Sequence, residues 1–126
     1  MNQTHQLKAL EAKLQYSFKD ISLLSKALTH RSFSNENQGQ ESNERLEFLG
    51  DAVLELVVTK YLFESFPDST EGHLTSLRSA LVRGANIAHV LTKLEAHEHI
   101  KLSVGEQKSH GNSKSYIQAN VFEAII

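Results

Sequence analysis

The feature that most constrains this chain is the run from Glu44 to about Phe66, closed by Pro67, in which apolar residues recur at helical spacing. Asn43 stands where an N-cap is wanted, and Pro67 cannot continue a helix. At 100° per residue, Glu44, Glu47, Asp51 and Glu55 share an arc of roughly 80°. Leu46, Phe48, Leu49, Ala52, Val53, Leu54, Leu56, Val57 and Val58 occupy most of the remaining circumference, so the helix is expected to lie buried in the domain core. Like charges at i, i+3 and i+4 destabilise an isolated helix by roughly 0.2–0.5 kcal/mol per pair. The helix N-terminus offsets part of this for the first acids but little for Asp51 and Glu55. A hard divalent cation would offset the rest, since Mg²⁺ binds one or two carboxylates together with water and phosphate oxygens. An acidic stripe is more often a solvated face with basic neighbours; here the neighbours are apolar. Gly50, inside the helix, costs about 1 kcal/mol relative to Ala, and such a glycine often marks the close approach of another backbone or a ligand.

The rest of the chain is also read as helical. Leu7, Leu10 and Leu14 mark a short first helix; Asp20 caps a second containing Ile21, Leu24 and Leu28. Ser32 to Ser42 reads as a polar loop. Ser69 or Thr70 caps a helix carrying Leu74, Leu77 and Leu81; Ala85 to Leu94 forms another; Ser103 to Ser115, with Gly105 and Gly111, reads as a second loop; and a last helix starts near Ser115 or Tyr116. No sustained strand alternation or internal repeat is present, and the expected class is all-α.

With 126 residues the chain fits one domain, and the absence of Cys excludes a disulfide framework, a thiolate zinc site and a cysteine nucleophile. No apolar run is long enough to span a membrane and no secretory leader precedes Lys13, so a soluble cytoplasmic protein is expected. Net charge is −2, but Glu41 to Glu71 carries a local balance of −6 against +4 elsewhere. A basic body could bind a polyanion if metal neutralised that acidic centre; chance clustering on a solvated face is the plainer alternative. No phosphate loop, dinucleotide fingerprint or Gly-x-Ser-x-Gly elbow is present. His97 and His99 are two apart and face different sides; His5 and His110 read as surface residues, His89 as packed or half-exposed, and His30 as structural. The final segment, Val121 to Ile126, is apolar and in helical register without a capping signal, so the chain reads as a domain truncated at its C-terminal end.

The segment Asn43-Glu44-Arg45-Leu46-Glu47-Phe48-Leu49-Gly50-Asp51-Ala52-Val53-Leu54 resembles, over twelve consecutive residues, the signature of the ribonuclease III family, endonucleases of double-stranded RNA. Leu28-Thr29-His30-Arg31-Ser32, Glu71-Gly72, Leu77-Arg78 and Leu81-Val82-Arg83 follow the family's order, and Val121 to Ile126 resembles its second acidic motif. The resemblance covers nearly the whole chain. It implies a helical bundle over residues 1–126 that works as a homodimer, an RNA valley between subunits and a metal centre in each; the family's double-stranded-RNA-binding domain is not present in these residues.

Carried over position by position, the resemblance makes Glu47, Asp51, Asn120 and Glu123 the metal site for Mg²⁺, with Mn²⁺ as a substitute, and Asp51 and Glu123 the catalytic residues. It places Glu44 and Glu71 in the RNA valley and Phe48 at the dimer interface. Taken without the resemblance, Phe48 is equally an ordinary core residue and the two glutamates are solvated helix ends. Asn120 stands where the family has Asp; it can offer a carbonyl oxygen to Mg²⁺ but brings no charge. His73 likewise replaces a usual acid. Three readings follow: a metal-dependent endoribonuclease, a catalytically impaired relative that binds structured RNA or acts as a scaffold, and a purely structural helical domain that dimerises through Phe48.

Overall fold

A computed structural model describes residues 3–126. It contains helices α1 (Gln3–Leu14), α2 (Ile21–Ala27), α3 (Arg31–Glu36), α4 (Glu44–Ser65), α5 (Glu71–Val82), α6 (Gly84–Lys93), α7 (Val104–Lys108) and α8 (Ser115–Ile125), with 3₁₀ turns at Ala96–His99 and Gly111–Ser113. Among the described residues the only β pairing is an isolated parallel bridge between Thr29 and Lys101. The all-α class is therefore correct.

α8 lies at the centre. Ile117 and Val121 are fully buried and join Leu7, Leu10, Leu24, Leu28, Leu91, Ala96, Ile100 and Leu102 in the main core. A smaller cluster, Leu54, Ile87, Ala88 and Ala119, ties α4 to α6 and α8. Burial of this kind is non-directional and stabilises by about 25 cal/mol per Å² of apolar area, so it places α8 without fixing its detailed register.

Hydrogen bonds supply that detail where the elements meet. Lys101 N–H donates to the Leu28 carbonyl (2.8 Å) and His30 N–H to the Lys101 carbonyl (3.0 Å). Asn43 N–H donates to the Thr29 carbonyl (2.9 Å), and its amide to the Ala27 carbonyl (3.0 Å). The end of α2 is thus tied to the start of α4.

Several local expectations need correction. Leu28 is the C-cap of α2, not an interior residue. Asn43 precedes α4 but does not cap it with its side chain; that side chain is buried and spent on Ala27, while Ser42 Oγ accepts the Glu44 N–H (3.3 Å). The 32–42 segment begins as a helix, α3, because the His30 ring Nδ1 accepts the Ser32 N–H (3.1 Å). His30 is therefore structural, as expected. The 103–115 segment contains α7, whose cap is Ser103 Oγ accepting from Glu106 N–H (3.1 Å); Ser-x-x-Glu is a helix-start pattern legible in sequence. α3 and α7 are joined through Ser32 Oγ, which accepts the Ser103 N–H (3.0 Å), and Glu36, which accepts the Val104 N–H (3.2 Å). His89 is exposed.

The largest departure concerns α4. Only Gly50, Leu54 and Leu62 are buried along its length, while Phe48 (84%), Leu49 (61%), Leu56 (68%), Val57 (57%) and Phe63 (71%) are exposed. The helix is not enclosed in the core. α5 and α8 pack along one side of it, and α6 reaches it where Ile87 and Ala88 meet Leu54.

Candidate active site at the crossing of α4 and α8

Gly50 sets the geometry. A Cβ at this position would run into the main chain of Glu123, chiefly its carbonyl oxygen. The close backbone approach inferred from a mid-helix glycine is real, and the approaching backbone is α8. That approach puts the acidic stripe of α4 beside Asn120 and Glu123, one turn apart on α8.

The side chains meet accordingly. The Glu123 carboxyl stands beside those of Asp51 and Glu47. Burial, then the neighbouring Asp51 carboxyl, then the charge of Glu47 push the Glu123 carboxyl up to about 8. Glu47, half-buried, is raised above its usual value by burial, then by Glu44 and Asp51. Both polar atoms within reach of the Asn120 amide are acceptors, the Tyr116 carbonyl and Glu47 Oε1, so its NH₂ group faces them at 3.3 and 3.1 Å. The structure therefore brings Glu47 and Asp51 of α4 beside Asn120 and Glu123 of α8, which lie at least 69 positions further along the sequence.

The other predicted residues lie elsewhere. Glu44 sits at the start of α4, bonded by the Ser42 hydroxyl (3.0 Å), on a concave surface of about 840 Å³ shared with Lys26, Glu41, Arg45 and Phe48. Glu71 opens α5 beside Thr59, Leu62 and Phe63. Those neighbours lie at the far end of α4, and the sixteen positions from Glu47 to Phe63 correspond to about 24 Å of helix. Within one chain Glu44 and Glu71 are not brought together. Phe48 is not an ordinary core residue: it projects from α4 into open space. Near it, Phe18, Leu23, Leu49, Val53, Ala124 and Ile125 line an apolar groove of about 160 Å³. Sequence reasoning did not find this groove, because its walls come from three separate segments, each with ordinary apolar periodicity.

The family model described as ribonuclease-III-like matches residues 20–126, which includes α4, α8 and everything between them. The chain belongs to the ribonuclease III family. It is 46% identical over 121 residues to ribonuclease 3 of Nitratiruptor sp., covering 96% of this chain and 52% of that protein. Ribonuclease 3 of Clostridium tetani is 43% identical over 126 residues, 100% of this chain and 54% of the relative. The chain thus spans about half the length of the curated ribonuclease III relatives it matches. The crystal structure of the nuclease domain of ribonuclease III from Campylobacter jejuni superposes with a TM-score of 0.85 at 46% identity, covering 94% of this chain and 78% of that one. A second structure of that Campylobacter domain concerns flexibility in a region involved in its dimer formation.

The donor set of this ribonuclease III chain suits a hard divalent cation. Glu47, Asp51 and Glu123 offer carboxylate oxygens, and the raised Glu47 and Glu123 carboxyls mark a place where negative charge is crowded. Among the described residues no three His, Cys, Asp or Glu side chains are drawn in around one point. Mg²⁺ does not require such a cage, since it keeps several waters and takes phosphate oxygens from its substrate. Among the described residues no helix is long and apolar enough to cross a membrane.

Proposed function

We propose that this protein is a divalent-metal-dependent endoribonuclease that hydrolyses phosphodiester bonds of double-stranded RNA as a homodimer. The observation that carries this reading is the packing of the Glu123 backbone against Gly50, which sets the Glu123 carboxyl beside those of Asp51 and Glu47. In this reading Glu47, Asp51 and Glu123 hold Mg²⁺, with Mn²⁺ as a substitute. The bound cation would supply activation of water at neutral pH and neutralisation of charge at the phosphate. Asp51 accepts a hydrogen bond from the attacking water and so orients it. The raised Glu123 carboxyl would have to give up its proton for a cation to be held there, which would make metal binding pH-dependent.

Dimerisation gives the exposed side of α4 a cover. Phe48 of one copy seats in the apolar groove between α2, α4 and the end of α8 on the other. The dimer also resolves the separation of Glu44 and Glu71: a duplex lying across two subunits passes acids from both, with its A-form shape and 2′-hydroxyls read rather than its sequence. Such an enzyme acts in the cytoplasm.

The test is cleavage of a long RNA duplex with and without Mg²⁺. Cutting that requires Mg²⁺ and is lost on Glu123→Ala supports the proposal. A wild-type protein that binds the duplex without cutting it, and gains cleavage on Asn120→Asp, would instead identify an impaired relative.

A further inference from the structure

Asn120 is where this chain departs from the acidic pattern of its family, and its surroundings suggest what it does there. It lies on the exposed flank of α8, one turn before Glu123, half-buried against α4. Both protons of its amide have a use: one goes to the Tyr116 carbonyl, the i−4 acceptor in its own helix, and the other to Glu47 Oε1. The first bond fixes the rotamer; the second joins α8 to the first turn of α4. An Asp at this position could make neither bond while ionised, and would set a fourth negative charge beside Glu47, Asp51 and Glu123.

We propose that Asn120 is a positioning residue: it clamps the Glu47 carboxylate in place through its amide and acts on the metal site through Glu47 rather than as a ligand. The family's acidic arrangement must wait for a cation to overcome its own repulsion. The arrangement here is partly held before a cation arrives, and a site organised in advance loses less freedom on binding. The consequence is a metal site with less charge but a better-placed Glu47.

The inference rests on reading Glu47 as a metal-side carboxylate, but its first test needs no metal. Thermal unfolding of the metal-free chain is compared for wild type, Asn120→Asp, Asn120→Ala, Glu47→Ala and the Asn120→Ala/Glu47→Ala double variant. Asn120→Asp is expected to lower the melting temperature by about 3–6 °C, the shift a change of order 1 kcal/mol gives in a domain of this size. Asn120→Ala is expected to lower it in the wild-type background and to cost clearly less once Glu47 is Ala, since residues that act through one bond are not additive. Equal losses of Asn120→Ala in both backgrounds, or a rise in melting temperature on Asn120→Asp, would overturn the clamp. The second readout is Mn²⁺ binding, followed by the paramagnetic resonance signal of the free ion. Asn120→Ala should weaken binding several-fold, but not when Glu47 is already Ala. A loss that persists without Glu47 would mean that Asn120 ligates the ion directly and would refute the positioning role. No Mn²⁺ binding by any variant, with the metal-free coupling intact, would reject the metal reading of Glu47 and, with it, the proposed effect on the metal site.

Discussion

α4 and α8 have similar sequences in one respect and opposite fates in the fold. Both are rich in apolar residues, yet five of the eleven residues of α8 are buried, against three of the twenty-two in α4. α8 uses its apolar side chains inside the chain, with Ile117 and Val121 in the main core and Ala119 against α6. α4 uses a narrow strip, Gly50, Leu54 and Leu62, to reach that core and presents much of the rest outward. The contrast teaches that apolarity sets how much surface must be covered but not what covers it. For α8 the cover is the rest of this chain. For α4 the described residues cover one side and leave Phe48, Leu49, Leu56, Val57 and Phe63 exposed, the kind of apolar surface that interaction sites present.

The sharpest way to break the contrast is at the point where the two helices touch. Gly50→Ala places a Cβ against the Glu123 main chain, where no flexible side chain can yield. The expected loss is about 3 kcal/mol or more, at or above the upper end of ordinary overpacking. Urea unfolding measures it, and a loss below ~1 kcal/mol, the plain glycine-to-alanine scale, would show that the crossing is looser than described.

A smaller effect sharpens the electrical side of the crossing. Glu123 titrates at about 8 in the fold against a usual value of 4.5, so the folded protein holds a proton that the unfolded chain has released. Its contribution to stability is full below the unfolded value and is lost as pH rises towards and through about 8. Glu47, also raised, acts in the same direction. Metal-free melting temperature should therefore fall by a few degrees from pH 5 to pH 8. Glu123→Gln, which cannot ionise, should flatten that slope. A melting temperature that climbs steadily across this window would contradict the raised Glu123 carboxyl.

The smallest effect on the subunit itself is expected where α4 points outward. Phe48→Ala removes a ring that touches little of its own chain, so subunit stability should change by no more than about 0.5 kcal/mol. Sedimentation across a dilution series should nevertheless show at least a tenfold weaker dimer, equivalent to about 1.4 kcal/mol. A Phe48→Ala protein that dimerises like the wild type would remove Phe48 from the interface.

Much of this was legible along the chain. Helical spacing identified α1, α2, α4, α5, α6 and α8; Thr70 capped α5 through His73 N–H as its residue type suggests (3.2 Å). The i, i+3 and i+4 spacing put Glu47 and Asp51 on one face, and a costly mid-helix glycine announced a close neighbour. The short helix α3 was hidden because its signal is a single hydrogen bond rather than periodicity, a histidine ring serving as a cap, while the Ser-x-x-Glu start of α7 was masked by the polar, glycine-containing segment around it. These are local facts, settled by covalent geometry and by residues a few positions apart.

What tertiary structure alone decided is which neighbour each face meets. Sequence could not say that the backbone opposite Gly50 is that of Glu123, that the Asn120 amide turns to Glu47, or that the Glu123 carboxyl stands beside that of Asp51. Nor could it separate the buried apolar positions of α4 from the exposed ones, since Leu54 at 9% and Leu56 at 68% are the same residue two places apart. Periodicity is a property of one helix, whereas burial and a carboxyl's affinity for its proton depend on the distance to groups far away in the chain, and those distances exist only once α8 has packed.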